Sequence, residues 1–220
     1  MIPPTQQGRR EFILANTRLQ RPPHVPEIEL HLADEITPIW MLTEEALAEI
    51  GLPPPFWAFA WAGGQALARF LLDSPQAVAG KRVVDFASGS GLVGIAAKLA
   101  GAKDVLCADI DAYCEAALAL NAQTNGVACS FTGQDLLDAP APAWAEVILA
   151  GDICYEKPLA ERLMAWLAVA RAAGVTVLIG DPGRSYFPRS GLIKLAEYQV
   201  ATTRELEDMA VKRTCVWAMP

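Results

Sequence analysis

Apolar and polar positions change period several times along the chain, and each change marks an element. In residues 27–33 charged and apolar side chains alternate (Glu27-Ile28-Glu29-Leu30-His31-Leu32), the two-residue period of a half-buried strand. The run Thr43-Glu44-Glu45-Ala46-Leu47-Ala48-Glu49-Ile50 opens on a capping residue and early acids, then stops at Gly51 and a proline run, which predicts a short helix. Residues 63–72 read as a second helix and 81–85 as a buried strand. From there helices at 92–99, 112–125 and 159–172 are interleaved with strands at 104–108, 128–132, 147–150 and 175–179. Strands separated by helices predict an α/β, Rossmann-like, doubly wound parallel sheet. The end differs: 197–204 and 214–219 read as strands joined by a turn near 206–208, an antiparallel hairpin at the sheet edge.

The most informative segment follows the strand ending Val83-Val84: Asp85-Phe86-Ala87-Ser88-Gly89-Ser90-Gly91-Leu92-Val93-Gly94. Gly89, Gly91 and Gly94 form G-x-G-x-x-G between a predicted strand and a predicted helix. Small residues there let the backbone pass close to a ligand lying at the helix N-terminus. Dinucleotides and S-adenosylmethionine both use such a loop, and Asp85 discriminates between them. A carboxylate at the strand tip repels a pyrophosphate, but attracts the ammonium and sulfonium of S-adenosylmethionine.

Further acids fall at the tips of later strands. Asp109 ends Val105-Leu106-Cys107-Ala108, twenty residues beyond Gly89, where a Rossmann-type site reads ribose hydroxyls. Asp111 competes for that role, and its place before Ala112 suits a helix cap. Asp135, in Gly133-Gln134-Asp135-Leu136, either accepts from an adenine amine or serves as a turn residue. The next strand ends in Gly151-Asp152-Ile153-Cys154-Tyr155, at the carboxyl edge where open sheets bind ligands. Asp152 can orient an amine, and the Tyr155 ring can face developing positive charge. Methyl transfer is an in-line displacement that needs alignment and no enzyme nucleophile.

With 53% apolar residues in 220, the chain can bury a large core. No apolar run reaches the ~18 residues of a membrane span, and the N-terminus lacks a signal-peptide core. Arg9, Arg10, Arg18 and Arg21 against a single Glu11 suggest a transit peptide, but Pro3, Pro4, Pro22, Pro23 and Pro26 favour an exposed or loosely helical arm. The expected setting is cytoplasmic for a bacterial protein, or the mitochondrial matrix for a eukaryotic one. A net charge of −7 argues against nucleic-acid binding and suits a basic, lysine-bearing partner. Five scattered cysteines read as free thiols, and two histidines with no zinc-type spacing make a metal site unexpected. Without a heptad seam, a monomer is expected.

Together these residues resemble class I S-adenosylmethionine-dependent methyltransferases from about Trp57 to Pro220. Three features narrow the resemblance: Phe56-Trp57-Ala58-Phe59-Ala60-Trp61-Ala62-Gly63-Gly64, the D-x-x-Y of Asp152 and Tyr155, and Gly180-Asp181-Pro182-Gly183-Arg184. They are most similar to bacterial relatives of the electron transfer flavoprotein β-subunit lysine methyltransferase, a group also labelled nicotinamide N-methyltransferase-like. The resemblance implies a seven-stranded methyltransferase domain at 56–220, with an extension at 1–55 packed on it. It implies Trp61 and Gly63 over the cofactor, with Asp152 and Tyr155 acting on a lysine of the flavoprotein β-subunit. A small-molecule N-methyltransferase of the nicotinamide type is the alternative, and a non-catalytic binding module is the bland one. An NAD-linked oxidoreductase is opposed by Asp85 and by the absence of a histidine at a strand tip. One departure stands out: Ala87 occupies a position that is often glycine, where positive φ is costly for alanine. The resemblance leaves Arg184 open between holding Asp181 and binding substrate.

Overall fold

The computed structural model describes residues 5–34, 39, 53–202 and 210–220. The helix expected at 43–50 and the turn near 206–208 lie outside them. The central sheet is built from β3 (Arg82–Phe86), β4 (Asp104–Ala108), β5 (Ser130–Thr132), β6 (Val147–Gly151), β7 (Thr176–Asp181), β8 (Ile193–Ala201) and β9 (Val211–Ala218). Its order is β5-β4-β3-β6-β7-β9-β8. The first five of these pair in parallel, and β9 pairs antiparallel with both β7 and β8. The expected doubly wound sheet and edge hairpin are therefore both present.

Residue alternation explains the two-sided burial. Val83 joins Leu149 and Leu178 in a core with Ala66, Leu67 and Leu71 of helix α2 (Ala62–Asp73) and Ile95 of α3 (Leu92–Leu99). Val84 joins Ile148, Ala150 and Ile179 on the other face, against Leu163, Trp166 and Leu167 of α5 (Lys157–Ala172). Helix α4 (Ala112–Thr124) is capped by Asp111, whose carboxylate accepts from the Tyr113 amide at 2.9 Å.

The N-terminal segment differs from expectation. Rather than a loose arm, helix α1 (Gln6–Asn16) forms and docks on α4, with Ile13 fully buried and Phe12 edge-on to Tyr113 at 5.4 Å. Pro3 and Pro4 precede the cap, Thr5, which accepts from Gly8 N at 3.1 Å; prolines before a helix leave it intact. The strand expected at 27–33 shrinks to β2 (Leu30–Leu32), paired with β1 (Arg18–Gln20). Glu29 N donates instead to Asn125 Oδ1 at 3.0 Å, and Glu29 O accepts from Asn125 Nδ2 at 2.6 Å, so a side chain takes the place of a ladder.

Candidate active site

The strand order reverses between β3 and β6, and a cavity of about 910 Å³ opens over the carboxyl ends of the strands there. Its wall includes Asp85, Ala87, Ser88, Gly89, Asp109, Asp135, Trp61, Asp152 and Tyr155. The wall thus brings together eight of the ten residues singled out for cofactor and substrate. Gly63 and Gly91 are not part of that lining, although their neighbours Gly64, Ser90 and Leu92 are.

The glycine loop turns through three left-handed residues, Ala87 (φ 53), Gly89 (φ 51) and Gly91 (φ 82). Ala87 therefore takes the conformation that glycine would adopt at less cost, a strain of about 1–2 kcal/mol. The loop is tied to its neighbours by backbone donors. Gly89 N donates to Asp109 Oδ2 at 2.9 Å, while Asp109 Oδ1 accepts from Asp111 N at 3.0 Å. Buried Asn121 of α4, which sequence reasoning missed, braces the loop from behind. Its Nδ2 donates to Ser90 O at 2.8 Å and its Oδ1 accepts from His31 N at 2.7 Å, joining the loop to β2.

Asp85 lies 1% exposed beneath this loop and accepts from Gly94 N at 2.8 Å. Among the described residues it has no cationic partner. Burial, reinforced by the charge of Asp109 and opposed by the Gly94 hydrogen bond, pushes its carboxyl up from 3.8 to about 7. The Ser88 hydroxyl nearby is buried with no hydrogen-bond partner among the described residues. An under-compensated carboxylate and an orphan hydroxyl in one cavity fit a polar, cationic ligand such as the methionine end of S-adenosylmethionine. Asp135 caps a short 3-10 turn, accepting from Leu137 N at 2.9 Å and pairing with Arg162 at 3.2 Å, so its turn role is realised at the cavity wall.

The aromatic segment divides between core and site. Trp57 is 2% exposed and stacks on Tyr113 with centroids 5.6 Å apart, whereas Phe56, Phe59 and Trp61 line the cavity. Trp61 Nε1 donates to Phe56 O at 3.0 Å, and the Phe56 ring lies 5.4 Å from that of Tyr155. Burial, with the charges of Glu156 and Asp109, raises the Tyr155 phenol, so it remains a proton donor at neutral pH.

Asp152 sits at the end of β6 with left-handed backbone (φ 56) and 8% exposure. Its Oδ2 accepts from Gly64 N at 2.7 Å, and its Oδ1 accepts from Arg184 Nη2 at 2.7 Å and Nε at 3.2 Å. Main-chain packing makes the first bond possible. Gly63 presses its backbone against Gly180, and a Cβ on Gly63 would strike the Gly180 oxygen and come within 2.6 Å of Asp152 Oδ2. Gly63 thus seats the α2 N-terminus over β6 and β7. The pairing of Arg184 with Asp152 was illegible before the strands were placed.

A glycine loop at the switch point, with acids at the tips of β3, β4 and β6, defines a class I S-adenosylmethionine-dependent methyltransferase. The model of the ribosomal protein L11 methyltransferase (PrmA) family matches residues 66–172. The magnesium protoporphyrin IX methyltransferase of Synechocystis PCC 6803, solved with bound S-adenosylmethionine, shares the fold with a TM-score of 0.53, at 15% identity over 72% of this chain and 80% of that one. The electron transfer flavoprotein beta subunit lysine methyltransferase of Xenopus laevis is 38% identical over 215 residues, covering 95% of this chain and 86% of that protein. Its Danio rerio counterpart is 35% identical, covering 94% and 82%. The chain belongs to the family of electron transfer flavoprotein β-subunit lysine methyltransferases. Among the described residues, no helix is long and apolar enough to cross a membrane.

Proposed function

We propose that this protein transfers methyl groups from S-adenosylmethionine to lysine side chains of the electron transfer flavoprotein β-subunit. The observation that carries this reading is Asp152, held by Gly64 and Arg184 on the cavity wall beside Tyr155, in a chain so similar to methyltransferases of that name. Bound S-adenosylmethionine supplies an electrophilic methyl group on sulfur. In this reading Asp85 receives its cationic end, Asp109 its ribose hydroxyls and Asp135 its adenine amine. Ala87, Gly89 and Gly91 shape the loop, and Trp61 and Gly63 close the opposite side. Asp152 orients the amine and Tyr155 steadies it. Phe56 and Tyr155, 45% and 39% exposed at the mouth, leave room for a side chain presented by a folded partner. We place residues 1–55 as an extension on the domain formed by 56–220. The reading has the protein acting as a monomer, in the cytoplasm of a bacterium or the mitochondrial matrix of a eukaryote, and its net charge of −7 favours a basic protein partner over nucleic acid.

Mass spectrometry of recombinant electron transfer flavoprotein after incubation with this protein and S-adenosylmethionine tests the proposal. Mass gains in ~14 Da steps on β-subunit lysines are expected. No gain alongside calorimetric cofactor binding would keep the methyltransferase and reject this substrate.

A second expectation concerns pH. A carboxyl raised in the fold contributes stability that is present below its ordinary value of 3.8 and lost as pH rises through about 7. A cation meeting Asp85 selects its ionised form. Binding of S-adenosylmethionine should therefore release a proton between about pH 5 and 7 and weaken towards acid by up to about tenfold per unit. Calorimetric titrations near about pH 6, in buffers of different ionisation enthalpy, should disagree for the wild type and agree for Asp85→Asn. Identical enthalpies in the wild type would refute the role of Asp85.

A further inference from the structure

Arg184 follows β7 in the segment Asp181-Pro182-Gly183-Arg184, and its contacts there include Asp152, Trp61 and Asp181. Its guanidinium forks onto Asp152 Oδ1 through Nη2 at 2.7 Å and Nε at 3.2 Å, with the two side chains only 17% and 9% exposed. Its Cζ stands 5.5 Å from the centroid of the Trp61 ring. Its backbone N–H donates to Asp181 Oδ1 at 2.7 Å, which sets the loop itself. Arg184 also lines the cavity.

An amine must shed its ammonium proton before its lone pair can attack a sulfonium methyl. A carboxylate standing alone in a partly buried site would hold that proton on, because an opposite charge within about 4–6 Å favours the charged form. The other titratable groups around the site give no relief. Asp181 comes from β7, Cys154, Tyr155 and Glu156 from the segment after β6, and Asp85 and Asp109 from the tips of β3 and β4. All of these are acidic groups, as are Asp111 and Asp135 on the cavity wall, and the wall's other cation, Arg162 of α5, is paired with Asp135 at 3.2 Å and Asp138 at 3.0 Å. Asp181 is 2% exposed, with Oδ2 lacking a partner among the described residues, and burial raises its carboxyl to about 7. Arg184 is the cation set directly on Asp152.

We propose that Arg184 is a positioning residue for methyl transfer: its guanidinium neutralises and orients Asp152, so that the carboxylate accepts the substrate N–H without stabilising the ammonium. The inference rests on the amine-methyltransferase reading above. The proton leaves the ammonium for water, and the neutral nitrogen then forms its bond to the methyl carbon. As it does so the carbon–sulfur bond breaks and sulfur keeps the electron pair. Arg184 and Asp152 are unchanged at the end.

The test is the pH dependence of kcat, measured on electron transfer flavoprotein at saturating S-adenosylmethionine, for the wild type, Arg184→Gln, Arg184→Met and Arg184→Lys. With the cation gone, the acidic limb should move up by about one pH unit or more in Arg184→Gln and Arg184→Met. Their rate deficit should be about tenfold near neutrality and shrink in base. Arg184→Lys keeps the charge and should keep the limb near its wild-type position while losing the fork. Calorimetric affinity for S-adenosylmethionine, equal in all four, identifies intact sites. A deficit of the same size at every pH, or an unmoved limb in the two neutral variants, would overturn the inference while leaving the methyltransferase reading in place. A wild type inactive on the flavoprotein at every pH would overturn both.

Discussion

Replacing Asp152 with asparagine is expected to lower kcat by about 100-fold or more while leaving S-adenosylmethionine affinity within about threefold. The substitution keeps the shape of the side chain and changes its hydrogen-bond grammar. Asp152 now accepts on both oxygens, from Gly64 N and from the Arg184 fork. An amide has one acceptor and two donors, so whichever way it turns, an N–H must face another donor. The substrate amine would meet a group that neither accepts its proton-bearing face nor stays in place. Asp85 and Asp109, on the neighbouring strand tips, keep their own partners throughout. Single-turnover kinetics with calorimetry would separate the two quantities, and a kcat within threefold of the wild type would remove Asp152 from the transfer step.

Two adjacent glycines should respond in opposite ways to the same change. In Gly63→Ala the new methyl would collide with the Gly180 backbone and the Asp152 carboxylate. Backbone cannot rotate aside, so α2 must lift. A cost of about 2–3 kcal/mol follows, with a fall in Tm of roughly 5–10 °C in a chain of this size. Activity should fall too, because the same shift draws Gly64 N away from Asp152. Gly64→Ala meets nothing closer than 3.9 Å and replaces a helical glycine, so it should be neutral or stabilising by up to about 1 kcal/mol. Thermal unfolding of the pair decides the matter: equal melting temperatures would contradict the packing.

The parts of the molecule that were legible in the sequence are those governed by near neighbours. Helix 92–99 and strand 104–108 appear with the boundaries expected, because period and cap signals lie within a few residues of each other. The glycine loop and the acids at 85 and 109 were legible for the same reason, since strand tips can be found from strands. A role for Asp152 and Tyr155 could be read from their place after the strand at 147–150, and the family resemblance added only the lysine as their target. What stayed hidden depends on which strands are neighbours. Arg184 and Asp152 are separated by 32 positions, and nothing local links them; only the β6–β7 pairing does, with Gly151 opposite Gly180. Asn121 bonds to residues 31 and 90 positions away, and it reads in isolation as one more polar residue on an apolar helix. The packing of Gly63 against Gly180 likewise depends on which strands lie side by side. At the N-terminus, proline count suggested an arm, but position relative to the Thr5 cap mattered more than number.

The seam between Gly63, Gly64, Gly151 and Gly180 has a consequence for anyone wishing to change what this enzyme methylates. The part of the pocket floor beneath Asp152 is made of main chain at contact distance, so it offers no side chain to exchange and no slack to enlarge. Adaptability is concentrated at the mouth, where Pro53, Pro54, Phe56 and Tyr155 present replaceable side chains. Altered acceptor preference, whether sought by directed evolution or reached by drift, should therefore be written in those four positions while Gly63, Gly151 and Gly180 stay glycine.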